Sequence, residues 1–221
     1  MLGLGIASFV EGGSVSKQML PSFTNTKSIR FDGTNDYVDT NYAANTLFRD
    51  SFSFSFWVRP GDGRPSSSQA ILGVEAGANA DMVSVMIDST GAVGMNHISN
   101  SALNVIVTSS SVFSDGVQSG FKHIVITEEK VSSGNATSKI YINGVDTAFS
   151  TLGGGFFVIS EANFNAFDHG GLELNLGAIN DDGTQDSFYD GMLDEVAIFN
   201  KKLSSSEVTA IYNSGTPKDE S

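Results

Sequence analysis

SFSFSFWVRP, residues Ser51–Pro60, alternates serine and phenylalanine over six positions and then continues into a tryptophan. Successive side chains of a β-strand point to opposite faces of the sheet, so this alternation sorts the residues into two rows. One row is apolar and consists of Phe52, Phe54, Phe56 and Val58. The other row consists of three serines followed by Trp57 and Arg59. The pattern predicts a strand with one face on a thick apolar core, and it leaves open whether Trp57 packs or binds a ligand.

The composition indicates a single β-rich domain. Sixteen phenylalanines and 40% hydrophobic residues in 221 positions supply a substantial core, which excludes a disordered chain. Twenty-four glycines and four prolines are typical of many short strands joined by tight turns. The sequence contains no cysteine, so disulfides, thiolate metal sites and cysteine nucleophiles are all excluded.

The net charge of −13 argues against two classes of partner. Nucleic acids and anionic membrane surfaces are both bound through lysine and arginine, so neither is an expected partner of this acidic chain. Cations and neutral glycans are compatible with the charge. Residues 1–13, MLGLGIASFVEGG, lack a basic region and contain an early glutamate, so they do not predict a signal peptide.

Short alternating segments recur from Lys27 onward, and each is bounded by Gly, Asn, Asp or Ser. They do not alternate with helical segments, which argues against a parallel sheet. One helix is indicated near the C-terminus, where Ser204 and Glu207 form a capping-box pattern and Gly215 can end the helix. The sequence therefore predicts an all-β domain with one short C-terminal helix.

These patterns divide the chain into three parts. Residues 1–26 mix glycine and serine with scattered apolar side chains of no regular period, and we interpret them as an N-terminal arm that orders against a partner. The β-rich domain occupies residues 27–215. Residues 216–221 are expected to form a frayed tail.

Five segments, in this order, together resemble the laminin-G-like family, the concanavalin A-like lectin/glucanase jelly rolls. The opening strand and turn of that family look like IRFDGTNDYVDT at 29–40, and its aromatic strand looks like Phe52–Pro60. Its Trp-x-His strand is matched by Phe121–Thr127, with phenylalanine in place of tryptophan. Its hairpin resembles Tyr141–Gly144, and its closing strand and helix resemble Gly191–Asn213.

The resemblance implies a jelly-roll sandwich of two antiparallel sheets, with the phenylalanine row as one wall of the space between them. The serine row would then leave the outer face of that sheet smooth. The family has a tryptophan at this place in members with many different partners, and the resemblance therefore favours a packing role for Trp57. Sugar stacking is the alternative, and Trp57 and Arg59 are the candidate ligand-binding residues.

The same superfamily includes β-glucanases, in which the resemblance would require a Glu-x-Asp-x-x-Glu strand. Retaining glycosidases need two carboxylates about 5 Å apart, and no such spacing occurs here. Asp194 and Glu195 are adjacent, which places them on opposite faces of a strand. His123 fits a satisfied, partly buried histidine of the family motif better than a catalytic base. We therefore expect no enzymatic activity.

Calcium is the one cofactor that the sequence suggests. Carboxylates cluster in NDDGTQDSFYDG, where the candidate ligands are Asp181, Asp182, Asp186 and Asp190. Calcium prefers oxygen ligands on flexible loops, and laminin-G-like relatives often carry it on rim loops. The spacing is not that of an EF-hand, and the alternative is a solvated turn without metal.

The sequence favours one function over an alternative. The first is a virion structural protein that decorates a phage capsid or tail, joined to its subunits through the arm at residues 1–26 and forming a homo-oligomer. It fits a laminin-G-like domain that begins at its own Met without an export signal. The alternative is a glycan- or protein-binding adhesion module of a bacterial surface protein, located outside the cell, with a host glycan as a candidate ligand.

Overall fold

A computed structural model describes five stretches of the chain: residues 27–76, 81–133, 135–151, 159–168 and 170–213. The arm predicted at 1–26 and the tail predicted at 216–221 lie outside the described residues. The described residues form two β-sheets packed face to face, with three short helices. The predicted all-β sandwich is confirmed.

The first sheet has six strands, each antiparallel to its neighbours. Its spatial order is β1 (Ile29–Asp32), β15 (Asp190–Phe199), β3 (Phe52–Pro60), β8 (Lys122–Glu129), β9 (Thr137–Ile142) and β10 (Val145–Thr147). The alternating stretch that opens the sequence analysis is therefore a central strand, paired with β15 on one side and β8 on the other.

The second sheet contains seven strands in a continuous path and a hairpin attached to it. The path is β11 (Phe149–Thr151), β7 (Ala102–Thr108), β6 (Val93–Ser99), β5 (Asp81–Ile87), β4 (Gln69–Ala76), β12 (Glu173–Leu176) and β2 (Val38–Ala43). The hairpin consists of β13 (Ile179–Asp181) and β14 (Thr184–Asp186). β13 runs parallel to β4, which is a short parallel pairing that the sequence did not predict.

Three helices join or flank the strands: α1 (Ala44–Leu47), α2 (Glu161–Ala166) and α3 (Ser205–Tyr212). α3 is the predicted C-terminal helix. It begins with the expected capping box, in which Ser204 Oγ accepts a hydrogen bond from the Glu207 backbone N–H and the Glu207 carboxylate accepts one from the Ser204 N–H. α1 and α2 were not predicted. Among the described residues, no helix is long and apolar enough to cross a membrane.

The apolar row of β3 forms the centre of the core, as the alternation predicts. Phe52, Phe54, Phe56 and Val58 are all completely buried. Phe48 packs edge-on against Phe52 and Phe54, which extends the aromatic core toward α1.

The serine row of β3 is not a smooth exposed face. Ser53 and Ser55 are almost as buried as the phenylalanines, since the segment leading into α3 crosses over Ser53 and Ser55 lies against the buried His123 of β8. Ser53 Oγ donates a hydrogen bond to the Lys201 carbonyl oxygen at 2.8 Å and accepts one from the Leu203 N–H at 3.0 Å. A second, smaller core lies between α3 and this face, formed by Val125, Tyr141, Leu203 and Val208.

Candidate functional site

Three loops meet at one end of the sandwich, beyond the ends of β3, β5 and β7. They are residues 61–68 between β3 and β4, residues 88–92 between β5 and β6, and residues 109–121 between β7 and β8. The first and third loops follow strands of different sheets, so their contact closes the rim of the sandwich at this end.

Backbone hydrogen bonds join the three loops to one another. The Gly63 N–H donates to the Gly116 carbonyl oxygen at 3.0 Å, which links the first loop to the third. The N–H groups of Val112 and Phe113 both donate to the Gly91 carbonyl oxygen, at 2.7 and 3.0 Å, which links the third loop to the second. Because these bonds use main-chain groups, the shape of the rim is set before any ligand arrives.

Two glycines allow this close approach. A Cβ atom on Gly63 would lie 2.1 Å from the Ser114 carbonyl oxygen. A Cβ atom on Gly91 would lie 2.3 Å from the Phe113 carbonyl oxygen, and Gly91 has a positive φ of 78°. Any larger residue at either position would push the loops apart.

The loops surround an open cavity of about 360 Å³. We call it the rim cavity, and its lining residues are Arg64, Ser111, Val112, Phe113, Ser114, Gln118 and Lys122. The lining combines two cationic side chains, two hydroxyls, one amide and one buried aromatic ring. Ser111 Oγ donates to the Thr90 carbonyl oxygen and Gln118 Nε2 to those of Ser114 and Gly116, so these two side chains also brace the loops.

The two cations differ in how they are held. Lys122 is half-buried and lies opposite Val58 in the β3–β8 pairing. Its side chain is therefore on the core face of the sheet, at the end of β8 nearest the loops. Its ammonium lies over the Phe113 ring, 5.9 Å from the ring centroid. Arg64 is exposed. Across the described residues, neither side chain has a carboxylate oxygen within 4.0 Å.

The Asp62 side chain holds two of the loops together. Asp62 Oδ1 accepts hydrogen bonds from the backbone N–H of Arg64 at 2.9 Å and of Gly116 at 3.0 Å. These bonds satisfy the carboxylate and fix the position from which the Arg64 side chain leaves the loop. Arg64 and Lys122 can therefore offer two positive charges to a polar ligand, because no carboxylate of the described residues pairs with either side chain.

Trp57, the first predicted ligand-binding residue, is 3% exposed. Its ring stacks on Tyr212 of α3, with centroids 5.8 Å apart and an interplanar angle of 23°, and it also contacts the His123 ring. A sugar has no access to the covered indole face. Trp57 therefore packs beneath the C-terminal end of α3, which agrees with the favoured packing interpretation and corrects its prediction as a ligand-binding residue.

Arg59, the second predicted ligand-binding residue, lies on the same face of β3 as Trp57. Its Nη2 atom donates to the Met192 sulfur at 2.7 Å, and its guanidinium lies 5.3 Å from the centroid of the Phe121 ring. It is not among the residues that line the rim cavity. These contacts hold the side chain along the sheet.

The four aspartates predicted to bind calcium are spread over two elements. Asp181, Asp182 and Asp186 belong to the β13–β14 hairpin, and Asp190 begins β15 in the other sheet. Burial and the charges of Asp181 and Asp186 raise the pKa of Glu75, so these three carboxylates are near one another. In the described stretches, no group of three or more Asp, Glu or His side chains is placed to hold a metal ion. The predicted set of four calcium ligands is not assembled.

His123 forms a buried pair with Ser55, whose Oγ lies 2.9 Å from His123 Nε2. Burial lowers the pKa of His123 to about 4, so the imidazole is neutral at physiological pH. A serine–histidine pair could suggest a nucleophile and its base, but both residues are buried and the His123 ring stacks on Tyr212 of α3. The pair is closed to substrates.

The predicted placement of Asp194 and Glu195 needs a correction. The register between β15 and β3 shifts between Asp194 and Ala197, which marks a β-bulge, and Glu195 has a positive φ of 44°. The Glu195 backbone N–H donates to Asp194 Oδ1 at 2.9 Å. Simple alternation therefore does not hold at this point.

A second buried polar pair connects the two sheets. His97 of β6 and Glu128 of β8 are completely buried, with His97 Nδ1 3.0 Å from Glu128 Oε1. Asn104 Nδ2 donates to the same carboxylate oxygen at 3.1 Å. The sequence analysis did not single out these residues, because an isolated histidine and glutamate carry no local pattern.

Sequence reasoning also missed the rim cavity. Arg64 and Lys122 are 58 positions apart, so no motif joins them. One signal was available in the sequence. Arg64 lies within a loop rich in glycine and serine, GDGRPSSS, and Lys122 directly follows another, SSSVFSDGVQSGF, in a chain with few basic residues.

The chain matches the Laminin_G_3 family, described as the concanavalin A-like lectin/glucanases superfamily, over residues 32–209. Sialidase B of Streptococcus pneumoniae serotype 4 is 28% identical over 157 residues, which cover 67% of this chain and 21% of the sialidase. The chain thus spans about a fifth of the length of that relative.

Solved structures share the architecture. The CBM40 module of the Ruminococcus gnavus IT-sialidase, bound to α2,3 sialyllactose, superposes with a TM-score of 0.62 at 16% identity, covering 85% of this chain and 97% of that chain. The NanB sialidase from Streptococcus pneumoniae gives 0.59 at 21% identity, covering 84% of this chain and 28% of that chain. At these identities the two structures show the fold alone. Together with the family match over most of its length, they establish that the chain belongs to the concanavalin A-like lectin/glucanase superfamily.

Proposed function

We propose that this protein is a non-catalytic carbohydrate-binding module that holds a glycan at the rim cavity. The observation that carries the proposal is the cavity itself, in which hydroxyl, amide and cationic groups converge beside Phe113 on loops joined by backbone hydrogen bonds. Sugar hydroxyl groups can form hydrogen bonds with such polar and cationic side chains. The Ruminococcus module, which was solved with sialyllactose, supports a glycan as the ligand class.

The lining of the cavity favours binding over hydrolysis. None of its seven lining residues is an aspartate, glutamate or histidine. Glycoside hydrolysis requires a carboxylic acid to protonate the leaving oxygen and usually a second carboxylate opposite it. A glycan held in the rim cavity would meet no such pair among the lining residues.

The relatives support the alternative function and not the virion structural protein that the sequence favoured. Sialidase B is a bacterial enzyme, and this chain matches only 21% of its length, as a module within a larger protein would. The adhesion or accessory module of a bacterial surface or secreted protein therefore has more support than the phage virion component. An extracellular location goes with this proposal.

The test is calorimetric titration of the protein with a panel of oligosaccharides that includes lactose and 3′-sialyllactose, together with an assay for released sialic acid and reducing ends. We expect saturable binding of at least one oligosaccharide and no release of either product. Replacing Gly63 by valine should abolish binding by pushing the loops apart, whereas Gly120→Val should not, because no heavy atom lies within 4 Å of a Cβ at Gly120. Hydrolysis of any glycan, or no binding across the panel, would contradict the proposal.

A further inference from the structure

The rim cavity is positively charged on a strongly acidic protein. The chain has 12 basic and 25 acidic residues, so cations are scarce. Among the described residues, Lys139, Lys201 and Lys202 each form an ion pair with a carboxylate. In this part of the chain Arg30, Arg49, Arg59 and Lys130 form no ion pair, and neither do Arg64 and Lys122. Arg64 and Lys122 differ from the other four in lining one cavity together. The rim cavity therefore brings together two cations that have no carboxylate partner among the described residues.

Lys122 is the more informative of the two. Its side chain is half-buried, and its ammonium lies over the Phe113 ring without a carboxylate partner among the described residues. Asp62, on the first loop, instead accepts hydrogen bonds from two backbone N–H groups through its Oδ1 atom. An anion entering the cavity would supply the missing partner for Lys122.

Arg64 complements this point charge. Its planar guanidinium can donate two parallel hydrogen bonds to the oxygens of a carboxylate or sulfate, which an ammonium cannot do. The loop that carries it is fixed through Gly63 and Asp62, so less freedom is lost when the ligand binds. We propose that the rim cavity recognises an anionic group of its ligand through Arg64 and Lys122 together.

We take the anionic group to be part of a glycan, and this step rests on the proposed function. Two sources share the chemistry: the carboxylate of an acidic sugar and the sulfate ester of a sulfated sugar. Titrations with 3′-sialyllactose and with 3′-sulfolactose distinguish them. Lactose and the methyl ester of sialyllactose, in which the carboxylate is neutral, serve as uncharged counterparts.

Two single variants and a matched control make the test specific. Arg64→Gln and Lys122→Gln each remove one charge from the cavity, and Arg30→Gln removes an exposed arginine from β1 in the first sheet. We expect 3′-sialyllactose or 3′-sulfolactose to bind at least about tenfold more tightly than its uncharged counterpart. Each cavity variant should lose about tenfold in affinity for the charged ligand and little for the neutral one, and Arg30→Gln should lose nothing.

Inorganic sulfate separates this inference from the proposed function. In ¹⁵N-labelled protein it should shift the Gly116 amide and the Gln118 side-chain amide, and the double variant Arg64→Gln/Lys122→Gln should show no shift. Sulfate binding at the cavity without any glycan binding would preserve the inference and refute the glycan proposal. Equal affinity for charged and neutral glycans, or shifts that survive in the double variant, would overturn the inference.

Discussion

Trp57 and Tyr212 stack with their ring centroids 5.8 Å apart, and this contact closes the outer face of the first sheet. Tyr212 is the last residue of α3, so the stack holds the C-terminal end of the helix on the sheet. The contact leaves no open ring face on Trp57, in keeping with the proposed ligand site at the rim. A sheet face covered by a helix cannot bind a glycan, whereas the rim of the sandwich stays open.

The first prediction concerns this stack. Tyr212→Ala should expose the indole of Trp57, the only tryptophan in the chain, and shift its fluorescence emission to longer wavelength. Tyr37→Ala removes a tyrosine that is already exposed and precedes β2 in the other sheet, so it should leave the emission unchanged. An unshifted spectrum in Tyr212→Ala would show that the helix end does not cover the tryptophan.

The second prediction compares the two faces of β3. Phe54→Ala should lower the free energy of unfolding by about 3–5 kcal/mol, because it deletes a completely buried ring. Ser53→Ala should cost about 1–3 kcal/mol, because the buried Leu203 N–H loses its acceptor. Ser150→Ala, at an exposed serine in β11, is the control and should be nearly neutral. Denaturant unfolding measures all three, and a neutral Ser53→Ala would contradict the packing of the C-terminal segment.

The third prediction is a dependence of stability on pH. Burial lowers the pKa of His123 to about 4 in the folded protein, below the value of 6.5 for an unperturbed histidine. The unfolded state therefore binds a proton more readily, and the stability present above pH 6.5 is lost as the pH falls toward 4. The shift corresponds to about 3 kcal/mol.

Melting temperatures measured from pH 7.5 to 4.5 test this dependence. His123→Gln removes the titrating group, so its melting temperature should fall less steeply over that range than that of the wild type. Ser150→Ala should keep the wild-type slope. Parallel curves for the wild type and His123→Gln would show that another group governs the acid sensitivity.

The fourth prediction concerns the carboxylates around the β13–β14 hairpin. Burial, followed by the charges of Asp181 and Asp186, raises the pKa of Glu75, so its ionised form destabilises the folded protein at neutral pH. Glu75→Gln should raise the melting temperature at pH 7.5, and the difference should shrink as the pH falls toward 4.5. Asp115→Asn, at an exposed loop aspartate, should show no such trend. A lower melting temperature for Glu75→Gln at pH 7.5 would refute the repulsion.

The sequence predicts those parts of the fold that depend on local patterns. The alternation of Ser51–Pro60 identifies a central strand and its buried row, because strand geometry alone decides which residues share a face. The pairing of Ser204 with Glu207 likewise marks the start of α3, because a capping box spans four consecutive residues.

The features that the sequence did not predict depend on contacts between distant segments. The serine row appears exposed in the sequence, because nothing near Ser53 shows that Leu203 will cross over it. The rim cavity depends on Gly63 and Gly91 meeting the loop that holds Phe113, which no pattern in any one loop reveals. The bulge at Asp194 and the parallel pairing of β13 with β4 are also outcomes of packing.

The most direct test of the central claim is a titration of ¹⁵N-labelled protein with 3′-sialyllactose, followed through the backbone amide resonances. The amides of Gly63, Gly91 and Gly116 report on the three loops of the rim cavity. The account predicts saturable shifts at these amides, with those of the β13–β14 hairpin and of α3 unchanged. Shifts centred on the hairpin or on α3, or no shifts at any concentration, would contradict it.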